Sequence, residues 1–107
     1  MIQGDVLRQE FHQAMVGVYE NALWQCHYNA YVFRMMVEEH GGVDTAKRLL
    51  HSPATQYGFE KLWECGCLKI TMEYQVIQKK WAALFTVDEI EIARKRLREY
   101  GLELPQE

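Results

Sequence analysis

Hydrophobic residues recur every three or four positions through the first third of the chain. Over 5–39 this spacing marks one face of an α-helix, and the stretch contains no proline and a single glycine, Gly17. The pattern predicts one long helix over 5–39, whose weakest points are Gly17 and the run 27–29, made of poor helix formers. The repeating positions are Leu7, Phe11, Ala14, Val18, Ala22, Cys26, Ala30, Phe33 and Val37.

A continuous helix over 5–39 is long for a chain of 107 residues. At a rise of about 1.5 Å per residue it would measure about 50 Å, whereas a domain of about 100 residues has a radius of gyration near 13 Å. One small core cannot cover such a helix, so we expect a partner to cover part of it. The side chains expected at that partner interface are Phe11, Val18, Tyr19, Leu23, Trp24 and Tyr31.

The remainder, 42–104, has the pattern of a compact tail of about four shorter helices. Thr86 and Glu89 form a capping box before the last of them, and Gly101 supplies its left-handed end. No segment alternates as a strand does. The sequence predicts an all-α fold in a single domain, 1–107, with the shorter helices at 43–51, 59–65, 72–80 and 87–100 and a loop at 54–58.

Composition and charge narrow the classes of protein. Of the residues, 49% are hydrophobic, and the net charge of -3 gives no general attraction to nucleic acid or membranes. The charge is uneven, because residues 1–40 hold two basic and five acidic residues while 79–98 hold six basic and three acidic ones. No apolar run approaches the roughly 20 residues that span a bilayer, and no signal peptide pattern is present. The odd number of cysteines, three, favours a reduced, cytoplasmic setting. From the charge and the lack of an apolar run we expect no membrane partner.

Metal binding and catalysis have weak sequence support. The pair in Cys65-Gly66-Cys67 has a one-residue spacer, which is atypical of zinc sites, and the histidines that could complete it, His27, His40 and His51, are scattered. Cys26 lies on the apolar stripe, which favours a buried thiol. Glu60, Glu64 and Glu73 are candidates for a general acid or base, because carboxylates commonly play that role. Solvated helix faces also carry such carboxylates routinely. We therefore expect no enzyme, no metal and no cofactor.

A nucleic-acid interface is the alternative that the basic residues suggest. The helices predicted at 59–65 and 72–80, with Gly66 between them, match a helix-turn-helix arrangement. Basic side chains there and on the last helix could contact phosphates. They are Lys79, Lys80, Arg94, Lys95, Arg96 and Arg98. A small DNA- or RNA-binding regulator is therefore the second hypothesis.

A recurring set of helix ends, turns and core positions begins at His40. It comprises His40-Gly41-Gly42-Val43, Ala46-Lys47-Arg48-Leu49-Leu50, Gly58-Phe59, Leu62-Trp63-Glu64, Leu68, Thr71, Glu73, Leu84-Phe85-Thr86, Glu89, Ala93-Arg94, Arg96-Leu97 and Tyr100-Gly101. This set resembles an uncharacterised bacterial helical module, found alone or appended to nuclease-like and defence-associated proteins. The resemblance implies a bacterial, phage-defence or mobile-element setting and no catalytic role. It leaves out the first helix and departs from the module at Cys65 and Cys67.

The main hypothesis follows from an abundance of interface-type residues. Three tryptophans, six tyrosines and five methionines exceed what one small core readily holds, and such residues are enriched at protein interfaces. We therefore expect a non-enzymatic protein–protein interaction or self-association module, either a homodimer or a binder of a host or defence protein. Under the resemblance it would be an accessory subunit or a small, anti-CRISPR-like inhibitor of a nuclease.

Overall fold

The computed structural model describes residues 3–52 and 57–104. Within those residues all regular structure is helical and no strand occurs, which confirms the all-α class. Two 3-10 helices, Leu68–Ile70 and Lys79–Leu84, flank the fifth α-helix. The α-helices are α1 (Gln3–Cys26), α2 (Tyr31–His40), α3 (Gly42–Leu50), α4 (Tyr57–Glu64), α5 (Met72–Val76) and α6 (Val87–Glu99). No helix in the described part of the chain is long and apolar enough to cross a membrane.

The predicted continuous helix over 5–39 is wrong, because the chain breaks between α1 and α2. His27 takes a left-handed backbone conformation, with φ at 52°, and this ends α1. The Tyr28 N–H donates to the Ala22 carbonyl at 3.1 Å and closes the helix end. The break falls in the run 27–29 that the sequence marks as weak, whereas α1 continues through Gly17.

The break lets α2 fold back onto α1 and α3. The radius of gyration is 13.0 Å, an ordinary value for a chain of this length. The length of the first helix therefore does not require a partner. A partner would have to contact side chains that the folded chain leaves exposed.

Phe11 on α1 lies at the centre of the main core. Its ring packs edge to face against Trp81 and Phe85, with centroids 5.3 and 5.1 Å away, a favoured geometry for aromatic pairs. The same core cluster contains buried side chains from α2, α3, α5 and α6, namely Val37, Val43, Ala46, Leu50, Met72, Val76 and Ala93. A second, smaller cluster of Phe59, Leu68 and Leu97 joins α4 to the end of α6.

Gly42 sets how closely α3 approaches α1. Its N–H donates to His12 Nδ1 at 3.1 Å, which gives one free amide at the start of α3 a partner. A Cβ at position 42 would lie 2.7 Å from the His12 Cα, too close for any side chain without a backbone shift. The glycine that the sequence marks only as a helix end is thus also a packing requirement.

A buried arginine joins α3, α5 and α6. Arg96 Nη1 donates to Glu73 Oε2 at 3.0 Å, and both side chains are buried. Arg96 Nη2 donates to the carbonyls of Leu49 and Leu50 at 3.2 and 3.1 Å, so a cationic donor lies against the carbonyl end of α3, which carries partial negative charge. Burial raises the pKa of the Glu73 carboxyl, and a bond to its own backbone and the Arg96 charge offset part of that rise. The expectation that Arg96 contacts phosphates is therefore wrong.

Glu89 makes a second polar link between α3 and α6. The predicted capping box is confirmed, since the Glu89 N–H donates to Thr86 Oγ1 and the Thr86 N–H donates to Glu89 Oε1. The buried Glu89 carboxylate also lies 2.6 Å from Lys47 Nζ and 3.0 Å from His51 Nε2. Burial alone would raise the Glu89 pKa, but the hydrogen bonds from Lys47, the Thr86 backbone and His51 outweigh burial and lower it to about 2.

The other predicted helix ends differ in detail. Gly101 ends α6 as expected, with Leu102 N–H donating to the Leu97 carbonyl at 3.0 Å in a Schellman motif. The helix expected at 72–80 stops at Val76, and extended Gln78 separates it from the following 3-10 helix. Of the predicted loop at 54–58, residues 54–56 lie outside the described residues, and 57 and 58 already belong to α4.

The first prediction concerns Arg96. Arg96→Ala leaves the buried Glu73 carboxylate without its cation and removes the two hydrogen bonds to the α3 carbonyls, so we expect a loss of about 3–5 kcal/mol in unfolding free energy. Urea denaturation followed by circular dichroism measures it. The control is Arg98→Ala, which removes an exposed ion pair with Glu91 on the same helix and should cost less than about 1 kcal/mol. Similar losses in both variants would contradict the role given to Arg96.

The second prediction concerns pH. The Glu89 pKa is lowered from about 4.5 to about 2 in the folded chain, so its stabilising contribution is full above about 4.5 and is lost as pH falls towards 2. The stability difference between the wild type and Glu89→Gln, measured by urea denaturation, should therefore shrink over that range. Glu91→Gln, at an exposed pair, is the control and should show little change. A constant difference for Glu89→Gln would contradict the assignment.

Candidate functional site

A largely apolar cavity of about 540 Å³ opens between the helices. Its volume lies within the range of about 300–1,000 Å³ typical of small-molecule pockets. Its walls come from α1, the 27–30 linker, α2, α3, α4 and α5, and they include residues of both core clusters. Among the apolar lining residues are Val18, Ala22, Phe33, Met36, Leu62 and Met72.

Two polar side chains in the cavity wall, Thr71 and Glu73, have partners within the chain. Thr71 Oγ1 donates to the Leu68 carbonyl at 2.7 Å and accepts from the Tyr74 N–H at 3.1 Å. Glu73 is held by Arg96. The cavity therefore offers mainly apolar contact, which suits side chains or other groups without charge.

Exposed apolar side chains adjoin the cavity on α2. Tyr31, Val32 and Met35 keep 61%, 58% and 52% of their surface accessible, and Trp24 on α1 keeps 78%. Tyr31 and Val32 also line the cavity. We call Tyr31, Val32 and Met35 the α2 patch. Contiguous apolar surface of this kind is typical of interaction sites in proteins.

The predicted partner interface divides between core and surface. Phe11 and Val18 are buried in the main core, so the expectation that they meet a partner is wrong. Tyr19 and Leu23 are half-buried, and Trp24 and Tyr31 are exposed. Phe11 and Val18, which follow the helical period of the apolar stripe, belong to the core of the chain itself.

Sequence reasoning missed Val32 and Met35 as surface residues. A signal for them exists, because Tyr31-Val32-Phe33 and Met35-Met36-Val37 spread apolar side chains over a wide arc of α2, while Arg34 and Glu38 form an exposed ion pair on the remaining side. An apolar arc wider than the contact with the core leaves part of it exposed. Here the chain covers only the side that carries Val37, which leaves the α2 patch uncovered.

Tyr19 has a role within the chain. Its hydroxyl donates to Asn29 Oδ1 at 2.9 Å, and the Arg34 guanidinium lies 5.2 Å from the centre of its ring, within the range of cation–π attraction. These contacts tie α1 to the linker and to α2. Tyr19 therefore positions the linker that forms one wall of the cavity.

The basic residues proposed for nucleic acid are dispersed or paired. Lys95 and Arg98 lie 4.0 and 2.7 Å from Glu99 and Glu91 on the same helix. The recognition helix of the helix-turn-helix hypothesis, α5, spans only five residues and turns Glu73 into the core. Lys79 and Lys80 are exposed and Arg94 is half-buried. Nucleic-acid binding stays a prediction, and no arrangement within residues 3–52 and 57–104 favours it.

The three cysteines converge although they are distant in sequence. Cys26 ends α1, whereas Cys65 and Cys67 lie on the turn after α4. Cys65 Sγ lies 4.0 Å from the Cys26 carbonyl, and Cys67 Sγ lies 3.5 Å from the Cys65 carbonyl. Burial, followed by the neighbouring Cys65 and Cys67 side chains, raises the pKa of the Cys26 thiol to about 12. The sequence pairs Cys65 with Cys67 but contains no signal that places Cys26 beside them.

The candidate metal ligands and acids have other contacts. His51 bonds Glu89 at 3.0 Å, and His40 lies 3.7 Å from Glu39. Within the described residues, no group of three or more histidine, cysteine or acidic side chains is arranged to hold a metal ion. Among the candidate acids, Glu60 accepts a hydrogen bond from the Tyr100 hydroxyl at 2.8 Å, which joins α4 to the end of α6.

Comparison with known proteins finds no relative from which a function could be transferred. No protein-family model matches the chain, and neither does any curated protein or solved structure. The resemblance to a bacterial helical module stays a prediction.

A third prediction tests the cavity. Ala22 is buried and lines the cavity, so Ala22→Leu should place its added methyl groups in free space at little cost in stability. Ala93 is equally buried but lies in the main core, where Ala93→Leu should overpack the interior and cost about 1–3 kcal/mol. Thermal and urea denaturation of the two variants measure the difference. Equal losses would contradict a cavity of this size.

Proposed function

We propose that this chain is a non-enzymatic self-association module in which two copies pair through the α2 patch and the adjoining cavity. The observation that carries the proposal is an exposed run of large apolar side chains at the edge of a largely apolar cavity of about 540 Å³. Burying such surface is the main driving force of protein association. Aromatic residues and methionine, which provide it here, are enriched at interfaces.

A second copy suits this surface because the α2 patch, which projects, lies beside the cavity, which could receive the α2 patch of another copy. Tyr31 and Val32 project from α2 and also form part of the cavity wall. In a two-fold symmetric pair each surface meets its own copy, so the α2 patch of one copy can enter the cavity of the other. A pair of this kind buries both features at once, without requiring any other molecule.

The resemblance to the bacterial helical module adds a narrower proposal, in which the chain acts in bacterial or phage defence or in mobile-element biology. An accessory subunit or a nuclease inhibitor would use the same uncovered surface, with a host or defence protein in place of the second copy. The exposed apolar side chains support association in either case. The test below separates the two, because only self-association depends on the concentration of the purified chain alone.

The fourth prediction places one charge in the proposed interface. Val32→Asp puts a carboxylate into the first turn of α2, where the helix dipole tolerates it, but it would bury that charge between two copies. We expect the dissociation constant of the dimer to rise at least about tenfold, equivalent to about 1.4 kcal/mol. Sedimentation velocity over a series from about 1 to 100 μM measures it.

Val87 offers a matched control. It also lies in the first turn of a helix, α6, and 83% of its surface is exposed, far along the chain from the α2 patch. Val87→Asp should leave the dissociation constant unchanged. A wild-type chain that stays monomeric at about 100 μM would contradict self-association. An equal rise in the dissociation constant for Val32→Asp and Val87→Asp would contradict it too.

A further inference from the structure

We propose that Cys26, Cys65 and Cys67 form an oxidation-sensitive thiol cluster in which Cys26 makes a disulfide with a cysteine of the turn after α4. The thiols belong to two elements, and contact between them is created only by the fold. Cys65 Sγ approaches the Cys26 carbonyl at 4.0 Å, and Cys67 Sγ lies 3.5 Å from the Cys65 carbonyl. All three cysteines are free thiols in this structure.

Cross-linking to Cys26 is favoured over a bond between Cys65 and Cys67. Only Gly66 separates these two, so a bond between them would close a very small ring and strain the ordinary disulfide dihedral. Gly66 takes a left-handed conformation with φ at 73°, and the Cys67 N–H donates to the Leu62 carbonyl at 2.8 Å. That turn holds both thiols beside the end of α1.

The chemistry needs a small-molecule disulfide such as oxidised glutathione. The exposed Cys65 thiolate attacks one sulfur of this reagent, forms a mixed disulfide and releases one glutathione thiolate. Cys26 then gives up its proton to the released glutathione thiolate, and its thiolate attacks the Cys65 sulfur and releases the second glutathione thiolate, which takes a proton from solvent. Two protein thiols are thus oxidised to one disulfide while one oxidised glutathione is reduced to two thiols.

The position of the cluster gives the bond a structural consequence. Ala22 lies one turn before Cys26 on α1, and Leu62 lies three residues before Cys65 at the end of α4; both line the cavity. α4 packs mainly on the following 3-10 helix and, through Phe59 and Trp63, on Tyr100. A disulfide would therefore join α1 directly to the end of α4, two walls of the cavity that otherwise contact each other mainly through other helices.

Oxidation of the purified full-length chain with glutathione disulfide tests the proposal. We expect titratable thiols under denaturing conditions to fall from three to one. Cys26 lies in tryptic peptide 9–34, whereas Cys65 and Cys67 share peptide 62–69. Mass spectrometry of a non-reduced digest should therefore detect these two peptides joined, and dithiothreitol should separate them.

Two controls keep the result specific. Cys26→Ser should fold like the wild type by circular dichroism and lose the joined peptides. Oxidation in concentrated urea should lower their yield at least about fivefold, since unfolding removes the high effective concentration of the thiols. A bond confined to peptide 62–69, stable glutathione adducts alone, or an equal yield in urea would each overturn the proposal.

Discussion

The buried guanidinium of Arg96 is the contact on which most of the architecture depends. It joins Glu73 on α5 to the last carbonyls of α3, so one side chain from α6 fixes three helices. A helix C-terminus carries partial negative charge and free acceptors, and a buried carboxylate is costly without a cation. Arg96 satisfies both. Because Leu49 and Glu73 also line the cavity, the wall of the candidate site rests on the same contact.

Local chemistry made the helix ends predictable, but the tertiary polar contacts could not be predicted. The Thr86–Glu89 capping box and the Gly101 stop are short-range patterns, and both occur as expected. Nothing near Glu89 in sequence indicates that Lys47 and His51 also reach its carboxylate. Likewise Arg96 has basic neighbours on both sides in sequence, and only the fold distinguishes it from the solvated cations beside it. Such contacts depend on residues more than 20 positions apart, which periodicity does not connect.

In the first third of the chain the helical spacing of apolar residues is correct, but the single continuous helix inferred from it is wrong. The apolar stripe of α1 and that of α2 follow one another with little shift, so they match a single helix although His27 turns the chain between them. The same stripe misled the choice of interface. Positions such as Phe11 and Val18, where periodicity is strongest, are those that the chain buries first. Residues left for a partner are the apolar ones out of phase, such as Val32 and Met35.

The cavity, the α2 patch and the thiol cluster all border the break at 27–30. That linker ends α1 beside Cys26, starts α2 at Tyr31 and contributes to the cavity wall through Tyr28. A second copy that inserted apolar side chains into the cavity would need its walls to keep their spacing. A disulfide from Cys26 to the α4 turn would set that spacing covalently, so oxidation and association would act on the same walls. Their coupling would be reciprocal: a dimer that fits the oxidised spacing makes the disulfide harder to reduce, and one that fits the reduced spacing makes it easier.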